Sequence, residues 1–366
     1  MKLTCDGLAL SEAVLKVSKA MPIKRNNNML EGIKLVAKDG CLTLTATDLE
    51  LAIVKHIAAA VQVEGEVLVV GKFFTDFVKS LSAEQITLEC VDGKNITIQY
   101  GDNEGFLKCM EADEYPKVDL IEESASIILA KDDLKDVINK TVFSASQEDS
   151  RPILKGCLFE VKDNRLNVVS LDGYRLSLCR KPCVASGDGN FIIPARSLVE
   201  VVRLVDEAEN DVKIVFSKEK MMVIINNTQI ISRLIIGDYI NYRNIINLEF
   251  SASAVFGRDK LVESMNHVSV ISRADKNNNV RFELNDTLIM IDSRSEIGNV
   301  HESIPATIEG KDCVICFNCK YIQDVINVIQ DEYIKMNIKN SNSPCVITPV
   351  EGDEYLYLVL PMRVQA

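Results

Sequence analysis

The segment that decides the fold is SLDGYRLS, residues 170–177, a turn set between two strand-like runs. Apolar residues alternate before it, from Leu158 to Ser170, and the alternation resumes at Leu176. Asp172 and Gly173 favour a tight turn, because glycine accepts a positive φ and an Asp side chain accepts backbone hydrogen bonds. On pattern alone, this is a hairpin turn that leaves Tyr174 and Arg175 exposed.

The composition is that of a soluble globular chain. Of the 366 residues, 47% are hydrophobic and 26% are charged, which suits two or three domains with substantial cores. No run of 18 apolar residues predicts a membrane span, and the N-terminal MKLTCD lacks the apolar stretch of a signal peptide. We therefore expect a cytoplasmic protein without membrane contacts.

The net charge of 41 − 53 = −12 argues against a tight sequence-specific DNA-binding protein. An acidic chain can still hold DNA if its cations collect on one face. Several helices predicted below mix both signs, and an ordinary solvated face explains that pattern equally well.

The eleven cysteines are expected to be reduced. CVICFNC, residues 313–319, has the C-x₂-C-x₂-C spacing of some iron–sulfur sites, but Cys313–Phe317 reads as a strand, whose residues three apart face opposite ways. The three histidines, 56, 267 and 301, are too scattered for zinc. We predict no metal and no cofactor.

Helix-like segments recur at domain-length intervals. The first set is Leu8–Ala20, Lys131–Ala145 and Arg258–Ile271, and the second is Phe73–Leu81, Ser197–Val205 and Tyr321–Ile329. The second set is spaced by 124 residues twice (197 − 73 and 321 − 197). Equal spacing predicts a threefold internal repeat.

Strand-like runs follow each helix, and turn signals such as Lys38-Asp39-Gly40 and Asp163-Asn164 punctuate them. Each repeat therefore has about two helices and seven or eight strands, an α+β fold. We place the three domains at residues 1–125, 126–249 and 250–366, with connectors at Asp119–Ser126 and Asn244–Ser253. Sheets in a row can pair at their edges, which leaves one free edge at each terminal domain.

Four motifs resemble the bacterial sliding clamp family, the beta subunits of DNA polymerase III. They are SLDGYRL at 170–176, ATDLEL at 46–51, DSRPIL at 149–154 and LPMRV at 360–364. The resemblance implies a DNA clamp fold, in which two chains of three domains close head to tail into a ring around duplex DNA. It implies a non-catalytic processivity factor that binds DNA polymerase III alpha subunit, the clamp loader and other proteins with a clamp-binding motif.

The resemblance also implies a pocket for partner peptides between the middle and third domains. Its residues would be Arg151, Ile153, Leu154, Leu171, Gly173, Tyr174, Arg175, Leu176, Ile240, Ile245, Asn318, Tyr321, Pro344, Leu358, Leu360, Pro361, Met362 and Arg363. Leu171, Ile240 and Asn247 depart from the family pattern. The apolar members also fit an ordinary core, Leu176 and Leu358 above all. Period two along a terminal strand would put Leu360 and Met362 on one face, opposite Leu176.

The same resemblance assigns two further surfaces. Lys24, Arg25 and Arg196 fall where the family places cations that face DNA, and Val270 with Ile271 falls at the dimer interface. Two other functions stay open on sequence: a three-domain interaction scaffold that forms no ring, and a metal-dependent nuclease. No nucleophile elbow, H-E-x-x-H pair or P-loop occurs, so we predict no enzyme activity.

Overall fold

A computed structural model describes residues 1–22, 28–112, 114–118 and 121–362, with Asn28 described by its backbone alone. The chain folds into two compact units. The first unit combines Met1–Lys131 with Glu200–Leu234, and the second combines Asp132–Val199 with the chain from Ile235 onward. The middle third of the sequence therefore contributes to both units.

The described residues contain seven α-helices. They are α1 (Gly7–Val17), α2 (Gly71–Lys79), α3 (Lys131–Asn139), α4 (Ala195–Val205), α5 (Tyr242–Ile246), α6 (Arg258–Ser272) and α7 (Cys319–Val328). All six predicted helices are confirmed. The helices α1 and α3 are shorter than predicted, and 3₁₀ turns follow them at Ser18–Ala20 and Val142–Ser144. The short α5 was not predicted and lies across the start of the expected connector. None of these helices is long and apolar enough to cross a membrane.

Twenty-five strands complete the described part of the chain. They are β1 (Lys2–Asp6), β2 (Gly32–Lys38), β3 (Cys41–Thr47), β4 (Leu51–Val63), β5 (Gly65–Val70), β6 (Gln85–Glu89), β7 (Asn95–Tyr100), β8 (Asn103–Met110), β9 (Ala125–Leu129), β10 (Gly156–Lys162), β11 (Arg165–Leu171), β12 (Arg175–Pro182), β13 (Val184–Ser186), β14 (Gly189–Pro194), β15 (Val212–Phe216), β16 (Lys220–Ile225), β17 (Thr228–Arg233), β18 (Ala252–Gly257), β19 (Asn279–Asn285), β20 (Leu288–Ser295), β21 (Gly298–Gly310), β22 (Cys313–Asn318), β23 (Tyr333–Ile338), β24 (Cys345–Pro349) and β25 (Tyr355–Val359). The predicted α+β class is confirmed.

The turn chemistry of the hairpins is as expected. Asp39 and Gly40 have φ of 50° and 73°, and Asp163 and Asn164 have φ of 51° and 58°. Two consecutive positive φ values make the type I′ turn, whose twist matches that of the flanking strands. Gly, Asn and Asp therefore occupy these positions because they accept the left-handed conformation at the least cost.

In the first unit, the strands follow the order β1-β6-β7-β8-β5-β2-β3-β4-β17-β16-β15-β9. Because β1 also pairs with β4, the first eight strands close on themselves, although β8 meets β5 only at Cys109 and Met110. The pairing of β4 with β17, with Leu51 opposite Ser232, joins the first repeat to part of the middle one. Edge pairing between repeats, expected from the tripled domain, is confirmed here.

In the second unit, the order is β14-β10-β11-β12-β25-β24-β23-β18-β21-β20-β19-β22. Here β12 pairs with β25, with Arg175 opposite Val359, and joins the rest of the middle repeat to the third repeat. The core of the third repeat lies between α6, α7 and this sheet. Phe282 and Phe317 meet edge to face in it, with ring centroids 5.5 Å apart.

The three repeats share one closing contact. Leu68 on β5 lies opposite Met110. The Ile192 carbonyl accepts from the Ile235 N–H at 2.8 Å, and the Cys316 carbonyl accepts from the Met362 N–H at 2.8 Å. Leu68, Ile192 and Cys316 are spaced by 124 residues each time (192 − 68 and 316 − 192), which matches the spacing of the second helix set.

Candidate peptide-binding site

The turn at residues 170–177 is organised by one carboxylate. Asp172 Oδ1 accepts from the N–H groups of Tyr174 at 2.9 Å and Arg175 at 3.0 Å. Gly173 has a φ of 95°, a conformation that glycine adopts without steric cost. The turn therefore presents an exposed Tyr174, as the Asp-Gly pair predicts, but the expected exposure of Arg175 is wrong, because its side chain is only 9% exposed.

Ten buried side chains form the floor beneath this turn. They come from the middle repeat, α5 and the third repeat, namely Leu154, Leu158, Val169, Leu171, Leu176, Leu178, Ile192, Tyr242, Val346 and Leu358. Ile153 and Ile245 pack against them. Leu171 is 5% exposed, Leu176 2% and Leu358 3%, so these three belong to a core that supports the surface above it.

An aromatic rim, formed by Tyr174 and Tyr321, lies at the same turn. Because neighbouring strand residues point to opposite faces, Arg175 contacts this rim from the face of β12 opposite to that of Leu176 and the floor. Tyr174 is 57% exposed and stacks on Tyr321 of α7, with ring centroids 6.2 Å apart and planes at 25°. Arg175 lies beneath the pair, with its guanidinium carbon 4.7 Å from the centre of the Tyr321 ring. Burial raises the pKa of the Tyr321 phenol above its ordinary value.

The segment Ile235–Leu248 is fixed to the floor by polar contacts. Tyr242 and Arg243 both donate to Glu160 Oε2, at 2.7 Å and 2.6 Å. Burial raises the pKa of Glu160, but the hydrogen bonds from Arg243, Asn167 and Tyr242 outweigh it and hold that pKa below the ordinary value. Burial and the Glu160 carboxylate raise the pKa of Tyr242 to about 12. Glu160 is therefore ionised and ties α5 to β10.

The C-terminal part of the site departs from the sequence expectation. We predicted a terminal strand that carries Leu360 and Met362 on one face, opposite Leu176, but β25 ends at Val359. The Leu360 N–H donates to the Tyr174 carbonyl at 2.8 Å, and two residues later the Met362 N–H donates to Cys316. That prediction is wrong because the chain leaves β25 to close the third repeat against β22.

Other predicted site residues are spread around the floor. Leu360 is 37% exposed and lines one depression with Pro361 and Met362. A Cβ on Gly173 would lie 3.4 Å from Arg151 Nη1, so this exposed arginine borders the turn. Ile240 is 43% exposed, Pro344 directly precedes β24, and Arg363 lies outside the described residues.

Asn318 has a structural role, because its Oδ1 accepts from the Lys320 N–H at 3.0 Å and caps α7. Sequence reasoning missed Phe143 and Asp324 as residues that shape the rim, and it gave Asp172 a role in the turn but not its bond to Arg175. The signal for Asp324 was its position three residues after Tyr321, which puts both on one helix face.

The two other predicted surfaces are only partly described. Lys24 and Arg25 lie outside the described residues. Arg196 is half-buried in the first turn of α4. Val270 on α6 is 63% exposed, and a Cβ on Gly298 would lie 3.9 Å from Ile271, so this end of α6 borders the start of β21.

The cysteine cluster forms the predicted strand, β22, and Cys319 begins α7. Burial raises the pKa of the thiols of Cys313, Cys316 and Cys319, which keeps them protonated. In the described ranges, no three His, Cys, Asp or Glu side chains are grouped so that they could hold a metal ion.

Comparison with known proteins gives one consistent result. The chain matches the three domain families of the DNA polymerase III beta subunit: the N-terminal domain over residues 1–119, the central domain over 128–241 and the C-terminal domain over 243–363. These matches cover nearly all of the sequence, in the order in which the domains follow each other.

Individual relatives agree with the domain matches. The chain is 30% identical to the beta sliding clamp of Halalkalibacterium halodurans, over 95% of both chains. It is 29% identical to that of Bacillus subtilis, over 99% of this chain and 100% of the relative. The crystal structure of the Bacillus subtilis DNA polymerase sliding clamp superimposes with a TM-score of 0.96 at 28% identity, over the whole of both chains.

Proposed function

The chain belongs to the family of DNA polymerase III beta subunits, and from that premise we propose that it is a DNA polymerase processivity clamp. Two copies would encircle duplex DNA, slide along it and tether the replicative polymerase. Holding DNA by enclosure requires no bond chemistry, so we propose a non-catalytic accessory subunit. Family membership favours this function over a scaffold that forms no ring.

The observation that carries the proposal is a pair of open strand edges. β8 pairs with β7 over residues 103–108 but meets β5 only at Cys109 and Met110. β21 pairs with β20 over residues 298–305 and meets β18 only from Ala306 onward. Within the described residues, each strand therefore leaves backbone groups free along one side, in the two terminal repeats.

Exposed apolar side chains lie at or beside both edges. Phe106 on β8 is 73% exposed, and Val270 and Ile297 near the start of β21 are 63% and 68% exposed. An open edge with exposed apolar residues invites strand pairing with another chain. A two-fold dimer could pair β8 of each copy with β21 of the other. Its two interfaces would then cover all four open edges and close a ring.

DNA would be held by this topology, with the net charge of −12 disfavouring tight adhesion. Lys24, Arg25 and Arg196 remain our proposed contacts to phosphates, without sequence preference. The floor and rim of the second unit would bind short apolar peptides of the polymerase III alpha subunit, the clamp loader and other partners. The exposed Tyr174, at a turn beside this apolar cluster, suits such a peptide.

The test is retention on DNA of defined topology. Protein loaded onto a nicked circle should stay bound, and linearising the circle should release it by sliding from the ends. Val270→Asp with Ile271→Asp would place charges in the proposed interface, where an unpaired buried charge costs several kcal/mol. This variant should be a 40.7 kDa monomer that circles do not retain.

Val184→Asp is the matched control, because Val184 is 68% exposed and lies away from both open edges in sequence. It should remain a dimer and be retained like the wild type. Equal retention of wild type on linear and circular DNA would contradict the ring, and a dimeric double-Asp variant would place the interface elsewhere.

A further inference from the structure

Arg175 is held by more contacts than any other side chain of the rim. Its Nε donates to Asp172 Oδ2 at 3.0 Å, Nη1 to Asp324 Oδ2 at 2.5 Å and Nη2 to the Phe143 carbonyl at 2.8 Å. Three of the five N–H donors of its guanidinium are therefore engaged within the protein, one from each nitrogen.

Two aromatic rings enclose the same group. The guanidinium carbon lies 4.7 Å from the Tyr321 ring centre and 5.3 Å from that of Phe143, within cation–π range. The side chains of Arg175, Asp172 and Asp324 are 9%, 15% and 27% exposed. Little of the guanidinium surface reaches solvent, and two carboxylates surround its charge.

These contacts connect two elements that carry the rim tyrosines. Asp172 and Arg175 belong to the turn that presents Tyr174, whereas Asp324 lies one helical turn after Tyr321 on α7. The Arg175–Asp324 bond therefore ties the turn to the helix directly beneath the stacked rings. Arginine suits this position because a planar fork fixes orientation as well as charge.

We propose that Arg175 and Asp324 are positioning residues that hold the Tyr174–Tyr321 rim in place, and that Arg175 does not itself bind the partner peptide. This inference rests on the proposed peptide-binding function of the second unit. It follows that the peptide contacts the exposed Tyr174 ring, and that an acidic peptide residue gains nothing from Arg175. Preorganising the rim lowers the ordering cost of binding.

The test is a set of titrations with a fluorescein-labelled peptide from the C-terminus of the polymerase III alpha subunit. Asp324→Ala and Arg175→Ala should each weaken binding about tenfold, and the double variant should be no weaker than Arg175→Ala alone. Asp324→Glu should restore much of the loss, whereas Arg175→Lys should not, because a lysine lacks the planar fork.

An alanine scan of the peptide separates positioning from contact. If Arg175 only positions the rim, truncating a polar peptide residue should weaken binding by the same factor in wild type and in Arg175→Ala. A polar peptide residue whose truncation matters in wild type but not in Arg175→Ala would overturn the inference, as would additive losses in the double variant.

Two controls keep the outcomes distinct. Each variant is first checked for dimer mass and far-ultraviolet circular dichroism, and Lys320→Ala, one residue before Tyr321, should bind as wild type does. A wild type that does not bind the peptide would overturn the proposed binding function and this inference together. Binding by wild type with an unchanged affinity in Asp324→Ala would overturn this inference alone.

Discussion

The first and second units contain the same turn beside the same strand pairing, yet they surround it with different side chains. Asp48 Oδ1 accepts from the N–H groups of Glu50 and Leu51 at 3.1 Å and 2.8 Å. Asp172, 124 residues later, accepts from the two equivalent N–H groups at 2.9 Å and 3.0 Å. Each unit adds one backbone hydrogen bond of 2.8 Å at this turn. It runs from the Arg233 N–H to the Glu50 carbonyl in the first unit, and from the Leu360 N–H to the Tyr174 carbonyl in the second.

The side chains at these positions differ in kind. Leu49, Glu50 and Leu51 in the first unit stand where the second has Gly173, Tyr174 and Arg175. The apolar cluster below is small in the first unit, with Ala52, Val215, Met222 and Ile231 each 5–7% exposed, whereas ten residues build it in the second. The repeat thus supplies the backbone frame, and a few side chains make one copy a candidate binding site.

The largest expected effect concerns the two clusters. Leu176→Ala should destabilise β12 by about 3–5 kcal/mol, because the leucine is 2% exposed within a large packed cluster. Ile231→Ala should cost only about 2 kcal/mol, because its smaller cluster borders solvent and can relax. Hydrogen exchange of β12 and β17 would measure both losses. Equal losses would mean that the clusters are equivalent supports.

The next effect concerns affinity for the peptide. Tyr174→Ala should weaken binding of the alpha-subunit peptide at least tenfold, because an exposed, stacked aromatic is typical of a residue that dominates binding. Glu50→Ala, the same position in the first unit, should leave affinity unchanged. Fluorescence anisotropy would measure both. A loss on Glu50→Ala would show that the first unit also takes part in binding.

The smallest effect concerns the turn backbone. Gly173 has a φ of 95° and Leu49 a φ of 77°, so the first unit holds a leucine in the left-handed region. Leu49→Gly should relieve that conformation and stabilise the first unit by up to about 1 kcal/mol, whereas Gly173→Ala should destabilise the second by about 1 kcal/mol. Denaturant midpoints would show the two shifts in opposite directions. Shifts of the same sign would contradict a shared turn geometry.

Sequence patterns predicted the features that rest on local periodicity, namely the repeated helices, the turns and most strands. Alternation does not indicate β8, because Gly105 interrupts its apolar pattern. A Cβ at that position would lie 2.9 Å from the Phe77 ring, so any other residue would require that ring to shift. Sequence patterns also missed the Arg175–Asp324 bond, which joins residues 149 apart in sequence. The expected alternation of side chains does not extend to Met362, because β25 ends at Val359 and the chain then closes the third repeat.

The central claim is that the second unit's turn forms the peptide site while its counterpart in the first unit is only structural. Hydrogen exchange of the wild-type protein, with and without saturating alpha-subunit peptide, tests this claim directly. We predict added protection in residues 170–176 and 355–360 and no change in residues 46–52 and 228–233. Protection of equal size in both units, or in the first alone, would contradict the account.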